Sequence, residues 1–408
     1  MTTPAGSGRP DPAARDAGSR PLTAAVVGLG YGRNHVAEIL RLGGHVRLAG
    51  VVDPIEPSAD PRLAGSPLRD EILAVPHHAS LDELFAHEVP DIVAIATPIH
   101  THHALVRRAL AAGAHVLLEK PPTATLAEHA DLVEAAAVAQ RAVQVGFQAR
   151  GGHGLRAARD AIVSGRIGEV TRIGAVGTWT RDRAYYRRAA WAGRRTLDGH
   201  AVMDGVLTNP LAHAVDAALA LAGALRAADV GDVVVDPWHA HDIEADDTSA
   251  VRASTTAGVA VAAGLTLCAS REEAAPVVIA HGTQGSLRLR YSTDRLALIR
   301  DGEVAESAHR RDSLLRNLVD HIRYATPLIA PLAETGAFAR VLEAVRTGPA
   351  PGAIPARHVE WTGSGARARP VVPDVERWCA EVARTGRTFT ELGAPWTRGP
   401  AQPTDRSG

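Results

Sequence analysis

The feature that most limits how this chain can fold is a glycine turn between an apolar run and a helix-forming stretch. Leu22 to Leu29 is almost wholly aliphatic, as in a strand buried on both faces. It runs into Gly28-Leu29-Gly30-Tyr31-Gly32-Arg33-Asn34-His35 and a helical stretch to about Leu42; a second strand, Val46 to Val52, ends at Asp53. Such a turn needs glycine at three places: Gly28 for the tight bend, Gly30 for close approach of a pyrophosphate to the backbone, and Gly32 for packing of helix on strand. With 38 glycines in 408 residues the triplet alone says little; its setting between strand and helix makes it specific.

The alternation continues. Leu81 to His87 reads as a short helix, Asp91 to Ala96 as a strand, Thr101 to Ala112 as a helix and His115 to Leu118 as a strand. Thr125 to Ala139 is an Ala-rich helix before the strand Ala142 to Phe147. The fold class is α/β, a doubly wound parallel sheet of Rossmann type over residues 21–147. Beyond it the texture changes. Residues 168–180, 251–267 and 294–300 are strand-like, with long helices near 211–225 and 314–324, which predicts an open, mostly antiparallel sheet in a second α/β domain, 148–345. Residues 1–20 read as a disordered leader, and 346–408 as a C-terminal extension that loops over 346–370 and docks through the amphipathic segment Val375 to Ala383 and Trp396.

Forty-four basic against 45 acidic residues leave no global field for nucleic acid or an anionic membrane. The longest helical apolar segment, Ala217 to Leu225, is far short of a bilayer span. Two cysteines, Cys268 and Cys379, and the lack of a secretory apolar core predict a cytoplasmic protein. A Ser-His-Asp hydrolase is excluded by the lack of a Gly-x-Ser-x-Gly elbow after a strand.

Asp53 is placed to bind the ribose hydroxyls of a dinucleotide. A carboxylate there repels a 2′-phosphate, and no arginine follows in Asp53-Pro54-Ile55-Glu56, so NAD is expected in preference to NADP. A second constraint comes from the cations: among the 44 basic residues there is one lysine, Lys120. Where arginine has replaced lysine everywhere else, the survivor points to a task that a permanently charged guanidinium cannot perform, such as giving up a proton.

Around it the chain reads Gly113-Ala114-His115-Val116-Leu117-Leu118-Glu119-Lys120-Pro121-Pro122. This stretch resembles the Gfo/Idh/MocA oxidoreductases, which carry a Glu-Lys-Pro signature at a strand end. The glycine turn with His35, Thr97-Pro98 with His102, and Ile162 to Val170 match in order, so the likeness runs over roughly 22–345. The resemblance implies an NAD(P)-dependent dehydrogenase or reductase acting on a CH–OH carbon of a sugar, polyol or similar small molecule, in a homo-oligomer, dimer or tetramer. It implies that Gly28, Gly30, Tyr31, Gly32, Asp53, Thr97, Pro98, His102, Glu119 and Lys120 hold the cofactor, with Lys120 also orienting the reacting hydroxyl and shuttling its proton.

The family's helical Asp-x-x-x-His-x-x-Asp stands here as Asn209-Pro210-Leu211-Ala212-His213-Ala214-Val215-Asp216, which on a helix would share one face. His213 suits the acid/base role. Asn209 cannot supply the negative charge that would support an imidazolium; either Asp204 supplies it or the proton relay is weakened. Tyr185, Arg188 and Trp191, in an aromatic-poor chain, form a wall for a polyhydroxylated or carboxylated substrate, or else an anchor between subunits. Among 19 histidines, His239-Ala240-His241-Asp242 lacks a third ligand nearby, and no metal is expected. Two further readings stay open: an enzyme that retains its NAD and yields net glycoside cleavage or epimerisation, and a regulatory protein that senses dinucleotide without turnover.

Overall fold

A computed structural model describes residues 20–271 and 275–398; the expected leader lies outside them, save Arg20. The first sheet has six parallel strands in the order β3-β2-β1-β4-β5-β6: β1 Leu22–Val27, β2 Val46–Val52, β3 His77–His78, β4 Ile92–Ile95, β5 His115–Leu118 and β6 Val143–Val145. Helices α1 (Arg33–Leu42), α2 (Arg69–Leu73), α3 (Leu81–His87), α4 (Ile99–Ala111) and α5 (Leu126–Ala139) connect them. The aliphatic run of β1 is buried from Thr23 to Val27, as a strand covered on both faces requires. Helix α5 starts where Thr125 and Glu128 exchange side-chain and backbone hydrogen bonds in a capping box.

Among the described residues the second sheet has nine strands, β16-β15-β14-β13-β7-β12-β11-β10-β17, its far edge formed by β14 (Gly285–Arg290), β15 (Arg295–Arg300) and β16 (Glu303–Ala308). Its centre is β7 (Val170–Thr178), parallel to β12 (Ala260–Thr266) and antiparallel to β13 (Val277–Gly282). The stretch 251–267 is two strands, β11 (Thr248–Thr255) and β12, because a turn at Thr256–Val259 reverses the chain. One face packs against α6 (His153–Val163), α8 (Ala212–Leu221) and α10 (Gly336–Thr347). Helix α9 (Leu314–Tyr324) follows β16 in sequence but buries Leu315, Leu318 and Val319 in the core of the first sheet. Between α6 and α8 lie a single turn, α7 (Arg183–Tyr186), and the short pair β8 (Thr196–Leu197) and β9 (His200–Ala201).

The segment after α10 covers the other face. Strand β17 (Gly352–Ala353) extends the sheet beside β10 (Val230–His239), and β18 (Glu360–Thr362) pairs with β19 (Arg369–Val371), so 346–370 is partly ordered as strand rather than only loop. Helix α11 (Val375–Thr385) crosses β7 and β12 at two glycines: a Cβ on Gly174 or Gly264 would come within 2.5 Å of the backbone of Ala383 or Cys379. Trp396, 2% exposed, and Phe389 of α12 (Phe389–Leu392) complete this second core. No helix among the described residues is long and apolar enough to cross a membrane.

Candidate active site

The carboxyl ends of β1, β2, β4 and β5 open on one cavity of about 1150 Å³, whose far wall comes from the second domain. Of the sixteen candidate residues named from sequence, every one but Gly32 lines it. Gly28, at φ +88°, turns the chain against Ala96, and a Cβ on Gly32 would sit 2.1 Å from the Gly28 carbonyl oxygen. A Cβ on Gly30 would meet nothing nearer than an Arg62 nitrogen at 3.9 Å. Two glycines are thus demanded by packing, and the third leaves space on the cavity side. Helix α1 starts directly behind, with no side-chain cap and no acidic residue in its first turn, so its positive end is free for an anion. These residues fit a dinucleotide.

Around that cradle the loops are tied together. His102, buried in α4, sets its two ring nitrogens 2.9 Å from the carbonyl oxygens of Thr97 and Pro121. It thereby joins the Thr97-Pro98 loop to the lysine loop, and burial pushes its pKa down. Tyr31 is half exposed and accepts a hydrogen bond from Gln148. Glu119 is buried 3.2 Å from His35 of α1. Burial raises its pKa, but the nearby His35, aided by Lys120, outweighs that and holds the carboxyl below its ordinary range.

Lys120 Nζ donates to both oxygens of Asn209, 2.8 Å to the carbonyl and 2.7 Å to Oδ1. Desolvation lowers its pKa, against the pull of Glu119 and Asp204. The amide of Asn209 donates in turn to Asp204, which also accepts from Gly193 N–H at 2.7 Å and Arg188 at 3.1 Å. Burial raises the Asp204 pKa although Arg188 opposes it. The Arg188 guanidinium lies 3.7 Å from the centre of the Tyr185 ring and 4.6 Å from that of Trp191. One continuous network therefore runs from the aromatic wall to the lone lysine.

His213 does not join it. Helix α8 begins at Ala212, with Asn209, Pro210 and Leu211 in the turn before it, so Asn209, His213 and Asp216 share no helical face. The reason is local: Pro210 has no N–H to donate, and Leu211 N–H reaches back five residues to the Val206 carbonyl, which breaks the helical ladder before Ala212. Asp216 is fully buried against Arg150 at 2.5 Å, away from the cavity lining. The imidazole of His213 faces the cavity between Phe147 and Tyr291, its Nδ1 buried without a partner. Burial first, then the charge of Lys120, pushes its pKa down to about 3. The charge of Asp204 is spent on Asn209, Arg188 and Lys120 rather than on the histidine.

Sequence reasoning missed Arg62 and Arg33, which line the end of the cavity near Asp53. Arg62 lies beyond a Pro-rich connection, and nothing local to Asp53 announces it. Near His241 the structure also brings Cys268, which the sequence places far away: His241, Asp247 and Cys268 offer ligand atoms within 4.8 Å of one another. Asp247 is already occupied by the His241 ring, two backbone N–H groups and Thr248.

Comparison with known proteins finds one family over both parts of the chain. Residues 22–147 match the oxidoreductase family with an NAD-binding Rossmann fold, GFO_IDH_MocA, and residues 155–288 match the GFO/IDH/MocA C-terminal domain. Inositol 2-dehydrogenase of Leifsonia xyli subsp. xyli is 33% identical over 140 residues, 34% of this chain and 39% of that protein. Galactose 1-dehydrogenase of Pseudomonas fluorescens is 51% identical over 57 residues, 14% of this chain and 19% of that one. The chain thus spans less than half the length of these relatives. The WlbA dehydrogenase of Bordetella pertussis, solved with NADH and UDP-GlcNAcA, superposes with a TM-score of 0.66 over 80% of this chain and 95% of that one, at 22% identity, a likeness of fold.

Proposed function

Because the chain belongs to the Gfo/Idh/MocA family of NAD-binding oxidoreductases, we propose that it oxidises a CH–OH carbon of a sugar-like substrate, or reduces the corresponding ketone. The observation that carries this reading is the Lys120–Asn209–Asp204 network at the carboxyl edge of the Rossmann sheet. The bound nicotinamide supplies the hydride acceptor or donor. The glycine turn and the first turn of α1 would hold its phosphates, and Thr97, Pro98, His102 and Glu119 would shape the floor below.

Lys120 is built to move a proton. As an amine it has two N–H bonds, both directed at Asn209, which leaves its lone pair for a substrate hydroxyl. As an ammonium its third N–H is left to donate to a ketone oxygen. Neutral His213 lines the same space and offers a second polar contact to the reacting oxygen. Tyr185, Arg188 and Trp191 form a donor-rich aromatic wall suited to a hydroxylated or carboxylated ring. Relatives and structural neighbours that act on or bind free sugars, inositol and nucleotide sugars support that substrate class.

The experiment is a screen with NAD and NADP against inositols, hexoses and nucleotide sugars, followed by absorbance at 340 nm and by product analysis. Lys120→Ala and His213→Ala should each lower turnover by about a hundredfold or more and leave NAD binding in place. Full activity in both variants refutes the assignment. Altered sugar without accumulated NADH would point to a retained cofactor instead.

A further inference from the structure

At the Asp53 end of the cavity the more exposed charged group is a cation. The Asp53 carboxylate faces inward: one oxygen accepts from Leu29 N–H at 2.7 Å and from Arg62 at 2.9 Å, the other from Ile55 N–H at 3.0 Å. Its side chain is 4% exposed, whereas that of Arg62 in front of it is 36% exposed. Asp60, with no exposed side-chain surface, grips Arg62 from behind at 2.8 Å. Arg33 enters from the first turn of α1, its Nε on the Gly30 carbonyl at 3.1 Å and a terminal nitrogen on the Arg62 carbonyl. Two guanidinia balance two carboxylates, and the carboxylates are the hidden members. An exposed carboxylate at this position favours a ribose diol and repels a 2′-phosphate, while an arginine here accommodates that phosphate. The planar donor fork of a guanidinium matches phosphate oxygens, and Asp60 has already fixed its orientation.

We propose that Arg62, with Arg33, forms a phosphate subsite beside the adenosine ribose, so that the chain binds NADP as tightly as NAD or more tightly. This rests on the dinucleotide reading of the cavity and extends it. The test is calorimetric titration of the full chain with NAD and with NADP, which differ only in the 2′-phosphate. The expected result is an NADP dissociation constant no more than threefold above that of NAD, and a fivefold or larger shift of the ratio toward NAD in Arg62→Gln or Arg33→Gln. Circular dichroism of each variant confirms folding, and either variant suffices if the other fails to fold. NADP bound more than threefold weaker than NAD, or a ratio unmoved in the folded variants, overturns the proposal and leaves the dinucleotide site standing. Failure to bind either nucleotide overturns both.

Discussion

Asp204 and Lys120 are joined through a single amide, and that connection has a measurable consequence. Asp204→Asn keeps an acceptor oxygen for Asn209 Nδ2 and removes one negative charge. Two hydrogen bonds and the width of an amide set ammonium and carboxylate roughly 7 Å apart, which at an effective dielectric constant of about 20 is worth about 2.4 kcal/mol, or about 1.7 pH units. The sign follows from the charge. Burial already holds the Lys120 pKa below its ordinary value, and Asp204 is one of the groups pulling it back up. Its removal lowers the pKa further, and freeing Arg188 from its partner acts in the same direction. Water in the cavity screens part of this, so the expected fall is about one to two pH units.

The lone lysine makes the measurement clean. With Lys120 as the single side-chain amine in 408 residues, acylation by a small reagent labels it and the chain's α-amino group alone, and peptide mass spectrometry separates the two. The rate of acylation at Lys120 against pH gives its titration directly, with no need for a substrate. In Asp204→Asn the rising limb should move toward acid, and the limb of kcat/KM in the oxidative direction should move with it. A limb that stays in place or moves toward alkali refutes the network.

Three other perturbations test separate parts of the fold. Gly32→Ala would drive a Cβ into the Gly28 carbonyl, so NAD binding measured by calorimetry should be lost, with a lower melting temperature; normal binding would show that the turn has slack. Arg150→Ala leaves the fully buried Asp216 carboxylate unpaired and should cost about 3–5 kcal/mol in denaturant unfolding, whereas Asp216→Asn with Arg150→Met should recover much of it. Trp396→Ala empties the core beneath the C-terminal segment and should cost about 3–5 kcal/mol, with faster proteolysis beyond residue 345 as a local readout.

The Rossmann domain was legible because its signals are local. A buried parallel strand reads as a largely aliphatic run, and Gly28 and Gly32 answer steric demands that a larger residue would not meet, while Gly30 leaves room on the cavity side. The antiparallel texture of the second domain was legible for the same reason, although the hairpin between β11 and β12 was not, since small and β-branched residues run on through the turn at Thr256–Val259. What could not be read are pairings across distance. Arg62 reaches Asp53 through a Pro-rich connection, Cys268 reaches His241 across the sheet, and α9 returns to the first domain between β16 and β17 of the second sheet. None leaves a periodic trace in the chain.

Asn209 shows how such a pairing changes the chemistry. Taken as part of a helical Asp-x-x-x-His pattern, it is a lost charge and a weakened relay. In the structure it lies outside the helix, and its task is to accept from Lys120 while donating to Asp204. A carboxylate could accept from the lysine but could not donate onward, and it would set two like charges side by side. The amide passes the influence of Asp204 to the amine and places no full charge on the amine itself. An ion-paired lysine would be held as ammonium; this one meets a neutral amide, and burial shifts it toward the amine.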